Sequence, residues 1–149
     1  MSDAQIPPPT PGADHPGLRR QLNLAIPADA EQIGAATDAV LACLSGLSVE
    51  EEKCMAIGLA VQEALANAVT HGCDNDPSKT IHCEVSADEQ GHVLIVVADP
   101  GPGFDFSAPP KAVQQDVYND HGRGVFLIRQ LMDEVSFQRG GSVIQMWKY

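Results

Sequence analysis

Positive charge is what this sequence has least of. It sets nine Lys and Arg against 20 Asp and Glu, a formal net charge of −11, and the nine are scattered rather than gathered into a stripe. A nucleic-acid-binding surface needs a basic patch to displace counterions from phosphates, so that class is excluded. An anionic membrane surface is disfavoured for the same reason. No apolar run approaches the roughly 20 residues of a membrane span, and no charged n-region followed by an apolar h-region opens the chain. Cysteine is sparse too. Cys43, Cys54, Cys73 and Cys83 form no CxxC pair and no spacing typical of zinc, so reduced thiols, buried or half-buried, are expected. The expectation is a soluble, cytoplasmic protein.

What is present is a globular composition, 44% hydrophobic and 19% charged over 149 residues. That length suits one domain, with roughly two-thirds of its unfolded surface buried. The first seventeen residues, MSDAQIPPPTPGADHPG, hold five prolines and few apolar anchors. They predict a disordered or extended leader, and residues 18–149 a single domain.

Arg20–Ile26 alternates loosely and predicts a strand ended by Pro27. Asp29 can cap a helix running to about Leu44, with Ile33, Ala36, Val40 and Leu44 at helical spacing. Ser48 with Glu51 makes a capping-box pattern for a long second helix that stops near Gly72. Thr80–Ser86 and the β-branched run His92–Ala98 predict two strands paired across a turn. Asp99–His121 is long, Gly- and Pro-rich and weakly periodic, as functional loops and lids are. A third helix is expected over Gly124–Asp133. Strands Glu134–Gln138 and Ser142–Lys148 follow, around the turn Arg139-Gly140-Gly141, with Trp147 at a core-facing position. This order predicts an α+β fold, a two-layer sandwich of a mostly antiparallel mixed sheet covered on one face by helices.

Within the second helix, LAVQEALANAV (59–69) poses a question. Cys54–Val69 carries only Gln62, Glu63 and Asn67 as polar side chains. A helix apolar nearly all round is buried on most sides, where a carboxylate is costly unless paired. Four residues apart, Glu63 and Asn67 share one face. Either they satisfy each other and the neighbouring backbone, or they line a polar pocket, with His71 one turn further on.

Two other places gather unusual residues. Asp99 ends the apolar strand, where its carboxylate could accept a hydrogen bond from a ligand amine, or simply close a turn. Gly101 and Gly103 behind it allow close backbone approach. Gly122-Arg123-Gly124 directly precedes the third helix, and helix N-termini favour phosphates; a plain loop-to-helix junction is the alternative. Together these residues could supply a base-reading carboxylate, phosphate donors and an oxygen ligand for Mg²⁺.

At this point the sequence resembles a known family. EALANAVTHG is similar to the N box of the GHKL (Bergerat-fold) ATPases, DPGPGF to their first glycine box, and HGRGVFLIRQLMDEV to the second. The segment from about Leu22 to Tyr149 resembles the compact anti-sigma-factor serine kinases more than the histidine kinases or gyrase. The resemblance implies a histidine-kinase-like ATPase fold and an ATP- and Mg²⁺-dependent serine/threonine protein kinase. It also implies an anti-sigma-factor antagonist as substrate, a sigma factor or similar regulator as sequestered partner, and a homodimer. It assigns Glu63 as general base, Asn67 as Mg²⁺ ligand, and Asp99 as reader of the adenine amino group. Gly101 and Gly103 would lie beside the base, and Gly122, Arg123 and Gly124 against the phosphates. Ser142 stands where the family usually has Thr; its hydroxyl can still donate a hydrogen bond. A nucleotide-binding partner switch with little or no kinase activity is the alternative reading. A detached histidine-kinase catalytic domain ranks last, since only His15 lies upstream, in the leader.

Overall fold

The computed structural model describes residues 17–101 and 120–149. The Pro-rich leader, Gly103 and most of the expected lid lie outside the described residues. The elements are β1 (Arg19–Pro27), α1 (Ile33–Gly46), α2 (Glu51–Asn67), β2 (Thr80–Ala87), β3 (Val93–Ala98), α3 (Asp120–Leu131), β4 (Glu134–Gln138) and β5 (Val143–Lys148). The strands form one sheet in the order β1-β2-β3-β5-β4, with every described pairing antiparallel. The expected α+β layering is what the chain adopts.

Register explains the patterns. Cys83 pairs with Val97, Val85 with Ile95, and Ile95 with Met146, so these side chains share one face. On it they meet Val40 and Leu44 of α1, Ile57, Val61 and Leu65 of α2, and Ile128 of α3, all fully buried. β3 is apolar throughout because its other face is buried too. There Leu94, Val96, Ala98, Val143 and Leu18 form a second cluster with partly buried Trp147 against it. Trp147 is core-facing as expected, but toward this second cluster rather than the helix-covered one: its partner across the ladder, Leu94, sets its parity. Buried Glu84 lies on that same face, opposite Val96, with Arg20 Nε at 3.3 Å. The four cysteines are free, two buried and two half-buried. No described helix is long and apolar enough to cross a membrane.

Two helix starts differ from the sequence reading. Asp29 does cap, accepting the Glu31 N–H at 2.9 Å, but the turn it caps (Ala30–Gln32) is 3₁₀ before α1 begins. Ser48 forms no capping box; the N-cap of α2 is Glu50, without a side-chain cap bond. Ser48 instead closes α1. It takes a left-handed φ of 61°, its N–H donates to Ser45 O, and the Val49 N–H donates to Leu44 O at 3.2 Å. This is the Schellman pattern, with serine where glycine is usual.

Candidate functional site

The described site residues form two groups along α2: Glu63 and Asn67 meet α3 at Gly124, and the turn that ends α2 meets Asp99, where β3 ends and β5 begins. α2 runs apolar to Asn67 and then widens into a π-helical turn, Ala68–Gly72, closed by the Cys73 N–H donating to Ala68 O at 2.8 Å. Such turns are rare and recur at functional sites. Widening shifts the helical register, and His71, expected on the Asn67 side, is exposed while Asn67 is buried.

Glu63 and Asn67 do face the same way, as their spacing requires. Among the described residues no hydrogen bond joins them. What they share is a neighbour: a Cβ placed on Gly124 of α3 would lie 2.9 Å from Glu63 Oε1 and 3.2 Å from Asn67 Nδ2. Glycine thus lets the backbone of α3 approach both polar side chains, with Glu63 half-buried and Asn67 8% exposed.

Gly122-Arg123-Gly124 does not precede the helix as expected; it lies inside α3, which opens at Asp120.

Asp99, directly after β3, is 7% exposed. Its own N–H donates to Ser142 O at 2.9 Å, and its Oδ1 accepts the Gly101 N–H at 2.7 Å. Burial pushes its carboxyl up to about 6; the Gly101 N–H and the charges of Arg139 and Lys79 oppose this without cancelling it. A Cβ on Gly72 would lie within 2.6 Å of Asp99 Oδ1, and one on Gly101 would overlap the Gly72 carbonyl. The two glycines let the end of α2 and the start of the β3 exit loop close around the carboxylate.

Sequence reasoning gave Gly72 only a helix-ending role and missed its place against Asp99; only its position as the last residue of the N-box-like segment hinted at more. Cys73, next to it, is buried, and its thiol is pushed up to about 11 by desolvation and then by Asp99. It is an inert neighbour. Ser142 is buried, and its hydroxyl donates to Arg139 O at 3.0 Å. It holds Asp99 through its carbonyl.

The described residues contain no group of three or more His, Cys, Asp or Glu able to hold a metal. The donor set nevertheless fits Mg²⁺ brought in with phosphates, which needs only one or two protein oxygens: the Asn67 amide oxygen, on the side of α2 that faces Gly124, would supply one.

Two cavities lie away from this cluster. One of about 650 Å³ borders Arg19, Lys53 and Asp88 at the far end of the sheet, and one of about 740 Å³ lies between α1 and α2.

Comparison with known proteins gives the family and the fold. Residues 26–148 match the family described as "Histidine kinase-like ATPase domain". The chain is 29% identical over 138 residues to serine-protein kinase RsbW of Oceanobacillus iheyensis, covering 86% of this chain and 85% of that one. It is 28% identical over 138 residues to RsbW of Bacillus subtilis, covering 86% and 84%. A crystal structure of the RsbU and RsbW domains of Rv1364c from Mycobacterium tuberculosis superimposes with a TM-score of 0.60 at 17% identity. It matches 85% of this chain, which spans 31% of that longer one, and shows likeness of fold.

Proposed function

The chain belongs to the histidine kinase-like ATPase domain family, and from that premise we propose that it is an ATP- and Mg²⁺-dependent serine/threonine protein kinase. Its substrate is a small anti-sigma-factor antagonist protein, and it sequesters a sigma factor or similar regulator as a partner switch. The kinase unit is residues 18–149, and the chain acts in the cytoplasm as a homodimer. The observation that carries this reading is the apposition of Glu63 and Asn67 to the Gly124 backbone, with Asp99 held buried against the turn that ends α2.

Asp99 accepts a hydrogen bond from the adenine amino group, and Gly101 and Gly103 admit the flat base. The first-turn N–H groups of α3 around Gly122, with Arg123 and Gly124, face the phosphates. Asn67 holds Mg²⁺, which neutralises phosphate charge when bound. Glu63 takes the proton of the substrate serine hydroxyl as the Oγ–P bond forms and the bond to the leaving ADP oxygen breaks. Positioning and charge stabilisation supply most of the rate, so little is asked of the base itself. Ser142 supports the site by accepting the Asp99 N–H.

Titration calorimetry with Mg-ATP on wild type, Asp99→Asn and Glu63→Ala tests the reading. Binding by wild type and Glu63→Ala, lost in Asp99→Asn, is the expected pattern; a wild type that binds no nucleotide overturns it. One observation favours the alternative of a nucleotide-binding switch that transfers little. Glu63 contacts the α3 backbone position, as a purely structural carboxylate would. Transfer of ³²P from ATP to an antagonist protein, absent in wild type despite tight nucleotide binding, would decide for it.

A further inference from the structure

The groove of about 740 Å³ between α1 and α2 is separate from the nucleotide cluster. Its floor is apolar: Leu41 of α1 lies against Gly58 of α2, and a Cβ on Gly58 would come 3.1 Å from Leu41 Cδ2. Glycine in a helix interior costs about 1 kcal/mol relative to alanine; here it lets the two helices approach over Leu41. On the α2 wall, one turn apart from each other, stand Met55 and Leu59, which are 63% and 48% exposed. Two large apolar side chains at helical spacing, open to solvent over an apolar floor, form a surface that a third helix can fill ridge into groove. Methionine adapts its shape to such a partner.

The rim is acidic. Asp38 and Glu51 line it, and among the described residues no Lys, Arg or His does. A second copy of this chain is a poor occupant, because it brings a further charge of −11. Of its helices, α1 has no Lys or Arg and α2 has only Lys53, while α3 carries Arg123 and Arg129, so self-docking through α3 is one outcome that the test below distinguishes.

We infer that the α1–α2 groove docks an amphipathic helix of a partner protein, with apolar anchors at i, i+3, i+4 and i+7 flanked by Lys and Arg. Apolar anchors give the affinity, and the acidic rim selects a basic partner and raises its association rate. The inference rests on the proposed partner switch only in taking the ligand to be a protein; phosphotransfer is not needed.

The test uses a fluorescein-labelled amphipathic peptide built from Leu and Lys, and an isomer of the same composition with the leucines scrambled, both followed by anisotropy with the full chain. The amphipathic isomer is expected to bind about tenfold more tightly than the scrambled one. Leu59→Glu and Met55→Glu should each abolish that difference, and Asp38→Lys with Glu51→Lys should weaken binding about fivefold at low salt, a loss that 0.5 M salt erases. All variants should keep the wild-type melting temperature, since these side chains are exposed. Equal binding of both isomers, or full binding by folded Leu59→Glu, overturns the inference. So does a wild-type dimer that becomes a monomer in Leu59→Glu by sedimentation velocity, which would give the groove to a second copy. Mg-ATP titration of the same proteins separates the two readings. Loss of nucleotide binding in wild type sinks the kinase, while the peptide result judges the groove by itself.

Discussion

Gly101 lies against the carbonyl oxygen of Gly72, in a space that a Cβ at position 101 would occupy. The contact joins the π-helical end of α2 to the β3 exit loop and encloses Asp99 between them. Gly101→Ala must move the loop or the turn, at a cost of about 1–3 kcal/mol for overpacking. The expected outcome is a lower melting temperature together with Mg-ATP affinity reduced about tenfold or more, read by thermal melts and calorimetry. Wild-type values in both would show that the closure is not needed.

Asp99 predicts a pH dependence. Its carboxyl is raised from 3.8 to about 6, so between those values the folded state binds more protons than the unfolded one. Stability therefore falls as pH rises from about 4 to 6 and levels off above, by up to about 3 kcal/mol. Asp99→Asn should flatten that slope, gaining relative to wild type at pH 7 and not at pH 4, in urea melts across this range. Nucleotide affinity runs the other way in wild type. If Asp99 accepts from the adenine amino group as proposed, its ionised form is the better acceptor, and Mg-ATP binding should weaken as pH falls through about 6.

Much of this arrangement could be read from the sequence, for reasons visible in particular residues. Strand limits came within about two residues because period-two alternation in β2 and the β-branched run of β3 report burial directly. The Glu63–Asn67 pair stood out because polar side chains on an apolar helix need a reason. What local pattern could not supply was partnership in space. Ser48 reads as a cap for the helix after it, yet its N–H closes the helix before it. Gly72 reads as a helix stop, and only the fold brings Asp99 against it. Gly122 and Gly124 suggest a helix boundary that α3 ignores. Trp147 reads as core-facing, but the pattern does not say which of the two apolar clusters that sandwich the sheet it faces.

Gly124→Ala separates site from stability. In the interior of α3 alanine is the better helix former by about 1 kcal/mol. The added Cβ meets only the ends of the Glu63 and Asn67 side chains, at 2.9 and 3.2 Å, and these can turn aside. The melting temperature should hold or rise. Phosphate transfer should fall, because both displaced groups are those proposed to act on phosphate and serine. Unchanged transfer rates in the variant would remove Gly124 from the site.

Glu63→Gln keeps the shape and removes the base. If Glu63 accepts the serine proton, transfer to the antagonist should drop by about 10²–10⁴-fold while Mg-ATP affinity stays near wild type. Equal losses in affinity and transfer would make Glu63 a structural carboxylate.

Ser48 offers a test of the fold independent of function. Its φ of 61° costs an L-residue roughly 1–2 kcal/mol, and glycine avoids this at some entropic loss in the unfolded chain. Ser48→Gly keeps both N–H bonds of the Schellman turn, since they come from the backbone. The expected net gain is about 0.5–1 kcal/mol, a rise of roughly 1–4 °C in melting temperature. Ser48→Val should move the other way, because a β-branched side chain is excluded from left-handed backbone. If glycine destabilises and valine does not, then α1 closes otherwise, and the short link that aims α2 at the candidate site is built differently.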